Sequence, residues 1–266
     1  MYAFDFAKPT TVEDAIKALQ AEDAQPLSGG QTLIPTLKQR LAMPSTLVSL
    51  LGIEALKGVS ISGDTVTIKA ATPHGVIEAE TREKFPALSH LAGKIGDPAV
   101  RHRGTIGGSL ANNDPSACYP AAALATGATI VAQGPSGTRE IAADDYFQGM
   151  FATALEEGEI ITEVRLPIPE KGDYQKFEQP ASRFPLVGVF LAKFGSEVRV
   201  AVTGASESGV FRWTDGEQAL SSNFSADAVK DLSVSPDGLL KDLHGTPEYR
   251  AHLIKVLTAR AVAAAR

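Results

Sequence analysis

The sequence predicts an α+β fold in three units: α/β units over residues 1–55 and 56–170, then an α+β unit over residues 171–266. Three observations predict it. Short apolar runs alternate with helix-period patterns through the first 170 residues. Pro167, Pro169 and Gly172 then break the chain, and longer apolar runs follow. The 266 residues are 44% apolar, enough for a substantial core.

In the first unit, Thr11-Val12-Glu13-Asp14 reads as a capping box, with Asp14 where Glu is usual. The helix it opens runs to about Gln20 and places Val12, Ala15, Ile16 and Leu19 on one face. A short strand, Gln25-Pro26-Leu27, precedes a helix marked by Leu33, Leu37 and Leu41, with Pro35 tolerated in its first turn. Thr46 to Leu50 reads as a buried strand. In the second unit, Val59–Ile61 and Val66–Ile68 flank Gly63-Asp64 as a hairpin. Helices are expected over Thr72–Glu80 and Ala87–Ile95. Asp114 with Pro115 predicts the start of an alanine-rich helix over Ser116–Thr126, stopped by Gly127. Ala128–Ala132 and Thr138–Ile141 form a second hairpin, and Ile160–Leu166 a strand. In the last unit, Val187–Phe194, Val198–Gly204 and Val210–Trp213 read as antiparallel strands, and Ala226–Leu232 and Pro247–Ala265 as helices.

Composition removes several function classes. The net charge is −6 and Lys and Arg form no dense run, which disfavours nucleic acid as a partner. One cysteine, Cys118, excludes a disulfide framework, an iron–sulfur cluster or a Cys-rich zinc site within this chain. The five histidines show no HExxH or HxxxH spacing, so no metal site is expected. Met1 to Phe6 lacks the basic and apolar regions of a signal peptide, and no apolar run is long enough for a transmembrane segment. A cytoplasmic protein is expected.

Two glycine pairs carry the functional signal. One is Ser28-Gly29-Gly30-Gln31-Thr32; the other is Gly104-Thr105-Ile106-Gly107-Gly108-Ser109, with Asn112-Asn113-Asp114-Pro115 behind it. Glycine lets backbone N–H groups approach a ligand and tolerates positive φ. Short hydroxyl and amide side chains flank each pair, which is the chemistry of an anion cradle. Two such cradles would suit a diphosphate held from both sides. Neither is a Walker A loop or a GxGxxG turn after a strand.

Ser28 to Pro35, Arg103 to Ala111 and Tyr174 to Glu178 occur in that order. Together they resemble the FAD-binding medium subunit of the molybdenum hydroxylases, the family of aerobic carbon monoxide dehydrogenase and of bacterial xanthine and aldehyde dehydrogenases. The resemblance covers essentially the whole chain. It implies two α/β subdomains gripping FAD in the vanillyl-alcohol-oxidase style (residues 1–170), then a C-terminal domain with a small antiparallel sheet and helices (171–266). It implies that Leu27, Ser28, Gly29, Gly30, Gln31, Thr32 and Leu33 wrap the diphosphate. Thr105, Gly107, Gly108 and Ser109 would contact the diphosphate and the flavin end, with Asn113 and Asp114 close behind. Ile161 would be the apolar residue against the adenine or flavin. It further implies a large molybdopterin-binding partner that hydroxylates the substrate and a small iron–sulfur partner, assembled as a dimer of heterotrimers. No catalytic residue is expected in this chain. Electrons would reach FAD here from the partner's clusters and leave to an external acceptor.

Cys118 stands where some relatives carry an aspartate that reaches a sugar-like hydroxyl of FAD, and Phe184 where some carry a tyrosine near the flavin ring. A thiol is a weak hydrogen-bonding partner, and a phenyl ring offers packing alone. Two other functions stay open: a self-sufficient flavoenzyme of the same fold and, on the Cys118 departure, an assembly module that has lost its flavin. Other residues read structurally. Arg101 and Arg103 alternate as on a strand edge, with His102 a surface histidine between them. Cys118 is a small buried residue, Asp114 first a helix cap, Trp213 core or interface, and Lys176 and Glu178 exposed strand positions.

Overall fold

The computed structural model describes all 266 residues. Its first sheet is parallel, in the order β1 (Asp5–Ala7), β3 (Thr46–Ser49), β2 (Ala24–Leu27). Helix α1 (Val12–Ala18) crosses between β1 and β2 and buries Val12, Ala15 and Ile16. Thr11 caps it, its hydroxyl accepting from the Asp14 amide at 3.1 Å. Helix α2 (Leu33–Lys38) is shorter than the leucine spacing predicts: Leu37 is buried but Leu41 is exposed. Arg40 at φ +60° ends the helix, with Leu41 N–H returning to Thr36 O and Arg40 N–H to Leu37 O. That is a Schellman closure made without glycine.

The second sheet has five strands. The hairpin β4 (Val59–Ser62) and β5 (Thr65–Lys69) forms across Gly63-Asp64 as predicted. Five helices follow: α3 (His74–Glu80), α4 (Pro86–Gly93), α5 (Pro98–Arg103), α6 (Ile106–Asn112) and α7 (Tyr119–Thr126). Three of these depart from the expectations. Residues 98–103 are helical, so Arg101 and Arg103 do not alternate along a strand. Asp97 accepts from Val100 N–H at 2.9 Å, Pro98 takes the first helical position, and the basic residues fill the last turn. The second glycine pair is not a turn but lies inside α6, whose N-cap is Thr105. Helix α7 begins at Tyr119, not Ser116, because Asp114 Oδ1 accepts from Ser116 N–H and Asp114 O from Ala117 N–H. Asp114 therefore builds a turn and caps no helix. Every residue of α7 is buried, and Gly127 at φ +64° terminates it.

The hairpin β6 (Thr129–Gly134) and β7 (Gly137–Ala142) closes as expected. A single helical turn, α8 (Ala143–Tyr146), leads to the two-stranded ribbon β8 (Phe147–Gly149) and β9 (Ala152–Thr153). Strand β10 (Ile160–Pro167) then enters the centre of the sheet, giving the order β4-β5-β10-β6-β7.

The last sheet is antiparallel, in the order β11 (Lys171–Glu178), β12 (Pro185–Phe194), β13 (Glu197–Ser206), β14 (Gly209–Arg212). Alternate residues of β12 serve two cores. Phe190 and Ala192 join the core of the five-stranded sheet and α7, while Val189 and Leu191 pack with Leu253, Ile254 and Leu257 of the long C-terminal helix. That sheet is thus covered on both faces. Helices α9 (Thr214–Ser222) and α10 (Pro247–Ala264) close its outer side, and Trp213 is buried there. The helix expected over Ala226–Leu232 is a 3₁₀ turn at Ala226–Val229.

Gly127→Ala should cost about 1 kcal/mol, because an L side chain resists the left-handed region and its Cβ would press on Arg199 Nη1 at 3.1 Å. Urea unfolding of the two proteins checks this; an unchanged midpoint would contradict the described end of α7.

Candidate functional site

The two glycine segments meet. Ser28 Oγ and Thr105 Oγ1 lie 2.8 Å apart in a hydrogen bond between residues of different units. A Cβ at Gly29 would collide with the Arg103 carbonyl oxygen and stand 2.7 Å from Gly104 Cα. Glycine at 29 is thus required by backbone-to-backbone contact, not only by access for a ligand.

The first segment carries free donors. The amides of Gly29, Gly30, Gln31, Thr32 and Leu33 donate to no protein acceptor. Gly30 adopts φ +71°, which curls the loop, and a Cβ there would lie 2.9 Å from Ile34 Cγ1 and 3.3 Å from Leu27 Cδ1. Gln31 folds back so that its Nε2 donates to Gly29 O at 3.2 Å. Gln31 and Thr32 are exposed and Leu27, Ser28, Gly29, Gly30 and Leu33 half-buried. Successive N–H groups in such a bend form a nest for an anion.

The second segment does not match its expected role as an amide cradle. Gly107 N–H donates to Ala70 O at 2.9 Å and Ser109 N–H to Thr105 O at 3.0 Å. Gly108 N–H donates to Thr105 Oγ1 at 3.2 Å. These amides are consumed by the helix and its cap. A Cβ at Gly107 would meet Ala70 Cβ at 2.6 Å, so this glycine seats α6 on the end of β5. A Cβ at Gly108 would stand 3.0 Å from Thr105 Oγ1 and 3.8 Å from Ser28 Cβ, on the side of the first loop. What α6 offers that loop is a bare backbone surface and hydroxyls.

Asn113 and Asp114 follow directly. Asn113 ends α6 at φ +42° and is buried, its Nδ2 donating to Gly149 O and Ala152 O at 2.8 Å each. Both of its side-chain protons are thereby committed to the β8–β9 ribbon. Ile161 is 4% exposed and packs in the core of the five-stranded sheet. It reaches the glycine segments through the backbone: Thr162 O accepts from Ala70 N–H, and Ala70 O from Gly107 N–H.

Two residues beside this arrangement, His74 and Tyr119, went unassigned in the sequence, and a third, Lys176, reads there as exposed. His74 opens α3 with its ring buried and its Nδ1 without a hydrogen-bond partner. A Cβ at Gly104 would stand 2.5 Å from His74 Nε2, so the imidazole backs the residue that touches Gly29. Burial, reinforced by the Arg101 guanidinium, pushes its pKa down to about 4. Tyr119 packs on it with ring centroids 5.3 Å apart. Lys176 is half-buried, not exposed: its Nζ donates to Lys94 O and Arg183 O at 2.6 Å and lies 3.9 Å from Cys118 Sγ. Burial pushes the Cys118 thiol up, against the pull of the Lys176 ammonium. Phe184 is exposed, next in the chain to the Arg183 carbonyl that Lys176 holds. A histidine that supports a glycine has no signature at a distance of thirty residues in the chain.

The chemical capacity of the site is anion binding by neutral donors. Five unpaired amides and the Ser28–Thr105 hydroxyl pair face the same loop, and a Cβ on the glycines would fill or distort it. A diphosphate fits that donor set.

A family model described as the FAD binding domain in molybdopterin dehydrogenase matches residues 2–169. The carbon monoxide dehydrogenase medium chain of Afipia carboxidovorans is 33% identical, over 99% of this chain and 97% of its own. The nicotine 6-hydroxylase medium subunit of Paenarthrobacter nicotinovorans is also 33% identical, over 98% of this chain and 96% of its own. Among solved structures, quinoline 2-oxidoreductase from Pseudomonas putida 86 superposes with a TM-score of 0.88 at 28% identity, over 99% of this chain and 96% of that one.

Gly29→Ala should strip flavin from the purified chain while its circular dichroism stays native, because the collision lies between loops and outside the cores. Gly108→Ala, with 3.0 Å of clearance, should retain a measurable fraction. Equal flavin content in the two variants would refute the contact. His74 predicts an acid limit. Its neutral form is favoured by folding, so stability is complete above the unfolded value of 6.5 and is lost as pH falls from there towards 4. The full span corresponds to about 3 kcal/mol. The stability gap between wild type and His74→Gln, measured by denaturant at pH 7 and at pH 4.5, should narrow on acidification; a constant gap would show that His74 is not held neutral.

Proposed function

Because the chain belongs to the family of FAD-binding medium subunits of the molybdenum hydroxylases, we propose that it is the flavin relay of a multi-chain oxidoreductase. It receives electrons from iron–sulfur clusters on a small partner and hands them to an external acceptor. A large molybdopterin-binding partner hydroxylates the organic substrate. The three chains assemble as a dimer of heterotrimers in the cytoplasm. No helix of the structure is long and apolar enough to cross a membrane.

The observation that carries this proposal is the row of five unpaired amides from Gly29 to Leu33, set against Thr105 by a hydroxyl pair. Those amides would hold the FAD diphosphate, with the Thr32 hydroxyl as a further donor. Leu27 and Leu33 supply the apolar shoulders of the loop. Gly107 seats the facing helix on Ala70, Gly108 keeps its surface bare towards the loop, and the Ser109 hydroxyl extends it towards the flavin end. Asn113 and Asp114 fix the exit from that helix, and Ile161 supports it from the core. Bound FAD supplies the redox chemistry, taking electrons singly and releasing them in pairs; the chain supplies position and a neutral donor field. With Cys118 as its one cysteine, the chain has no ligand set for a cluster of its own. Residues 1–170 act as the FAD-binding domain, and residues 171–266 form the C-terminal domain.

Affinity-tagged chain expressed with its native neighbours should co-purify with an iron–sulfur chain and a molybdopterin chain. It should release one FAD on denaturation, and the isolated chain should turn over no aldehyde, purine or N-heterocycle. Substrate turnover by the isolated chain would instead establish a self-sufficient flavoenzyme. Stoichiometric assembly without flavin would establish an assembly module.

A further inference from the structure

The turn between α6 and α7 is held by a part of the chain that lies outside residues 2–169. Pro115 O accepts two hydrogen bonds, one from Gly204 N–H at 2.8 Å and one from the Thr203 hydroxyl at 3.0 Å. The same hydroxyl reaches Ala117 O at 2.7 Å. Thr203 is 1% exposed and Ala117 is buried, so the bond to Ala117 O is made inside the protein.

Both donors sit on an irregularity of β13. The ladder to β14 breaks between Val202 and Ser206, and Gly204 adopts φ +81°. A Cβ at Gly204 would stand 2.7 Å from Pro185 O and 2.9 Å from Leu186 O, so this glycine too is dictated by space. The bulge is braced from behind by Arg250 of α10. That buried guanidinium donates to Leu186 O and Gly204 O at 2.7 Å each and pairs with Asp242. A bulge re-aims the groups it carries. Here it turns one N–H and one O–H out of the sheet and onto Pro115 and Ala117.

We propose that the Thr203–Gly204 bulge is a positioning element for the cofactor site, holding the Asp114–Cys118 turn, an inference that rests on the FAD reading of the glycine segments above. The turn has little freedom of its own. It follows Asn113, which is committed to the β8–β9 ribbon, and ends at Cys118, beside Lys176. Removing the Thr203 hydroxyl leaves Ala117 O with no donor and Pro115 O with one. The exit of α6 then loosens, and with it the register of Gly108 and Ser109 against Ser28. The C-terminal domain thus shapes the site while contributing no residue to the glycine segments.

The test is FAD titration into the deflavinated full-length chain, followed by quenching of flavin fluorescence. Thr203→Val should weaken binding about tenfold, and Thr203→Ser, which keeps the hydroxyl, should stay within about twofold of wild type. Ile254→Val, which removes one buried methylene from the C-terminal core, serves as the control and should lower the melting temperature with FAD affinity unchanged. If Thr203→Val fails to fold, Thr203→Ala replaces it in the same comparison. Wild-type binding with an unmoved Thr203→Val, or equal weakening by Ile254→Val, would overturn the positioning role alone. A wild-type chain that takes up no FAD would overturn the reading of the site, and the positioning role with it.

Discussion

The site depends on two backbones approaching more closely than side chains allow. Gly29 lies against the carbonyl of Arg103 and the α-carbon of Gly104, and Gly104 in turn lies against the ring of His74. A Cβ at Gly29 would wedge the first unit away from the second, and one at Gly104 would displace the His74 ring that backs the contact. That separation would break the Ser28–Thr105 hydroxyl pair and move the unpaired amides off the face of α6. The free donors, the bare helix surface and the buried imidazole share one contact.

The two sides of that contact are chemically unequal. The first loop leaves its amides unsatisfied, as a nest must before a ligand arrives. The second segment satisfies its amides within α6 and presents hydroxyls and glycine surface. The asymmetry follows from what each segment joins. The first connects a strand end to a short helix and bends at Gly30. The second must seat a helix on Ala70, and that contact consumes Gly107 N–H. In the proposed site the first loop would grip a diphosphate with its amides and the second would cover it with hydroxyls and bare backbone.

Much of this was legible in the chain. Local signals (the Thr11 cap, the Gly63-Asp64 hairpin, the Gly127 stop) gave the elements they imply, because each is decided within a few residues. The glycine pairs and the order of three segments led to the family and its cofactor. The misreadings have physical causes. Pro98 after Asp97 is a helix start, but alternation of Arg101 and Arg103 also satisfies a strand. Asp114-Pro115 has the spelling of a cap, yet a turn amide at Ser116 captured the carboxylate. Whether Gly107 N–H is free depends on Ala70, thirty-seven residues earlier, which no local pattern reports. His74, Thr203 and Arg250 matter only through what tertiary packing sets beside them.

Magnitudes explain why so close an inter-loop contact can be tuned for binding and not for stability. The hydroxyl pair between Ser28 and Thr105 is worth about 1 kcal/mol net. The first unit is instead joined to the second by a shared apolar core. Val48, Leu50 and Ile53 pack there with Leu56, Ala71 and Ile160, which belong to the second unit. Each large side chain in that cluster contributes about 1.5–3 kcal/mol on full burial. Several such terms outweigh one hydrogen bond, so the core sets whether the units associate and the glycine contact sets only how the loops face. The C-terminal sheet follows the same division. Val189 and Leu191 hold it to α10 by burial, while Thr203 and Gly204 spend hydrogen bonds on the turn after α6. In both places apolar area fixes the association and a few polar contacts aim the site, which is how loops can remain unsatisfied at their amides without costing the fold its stability.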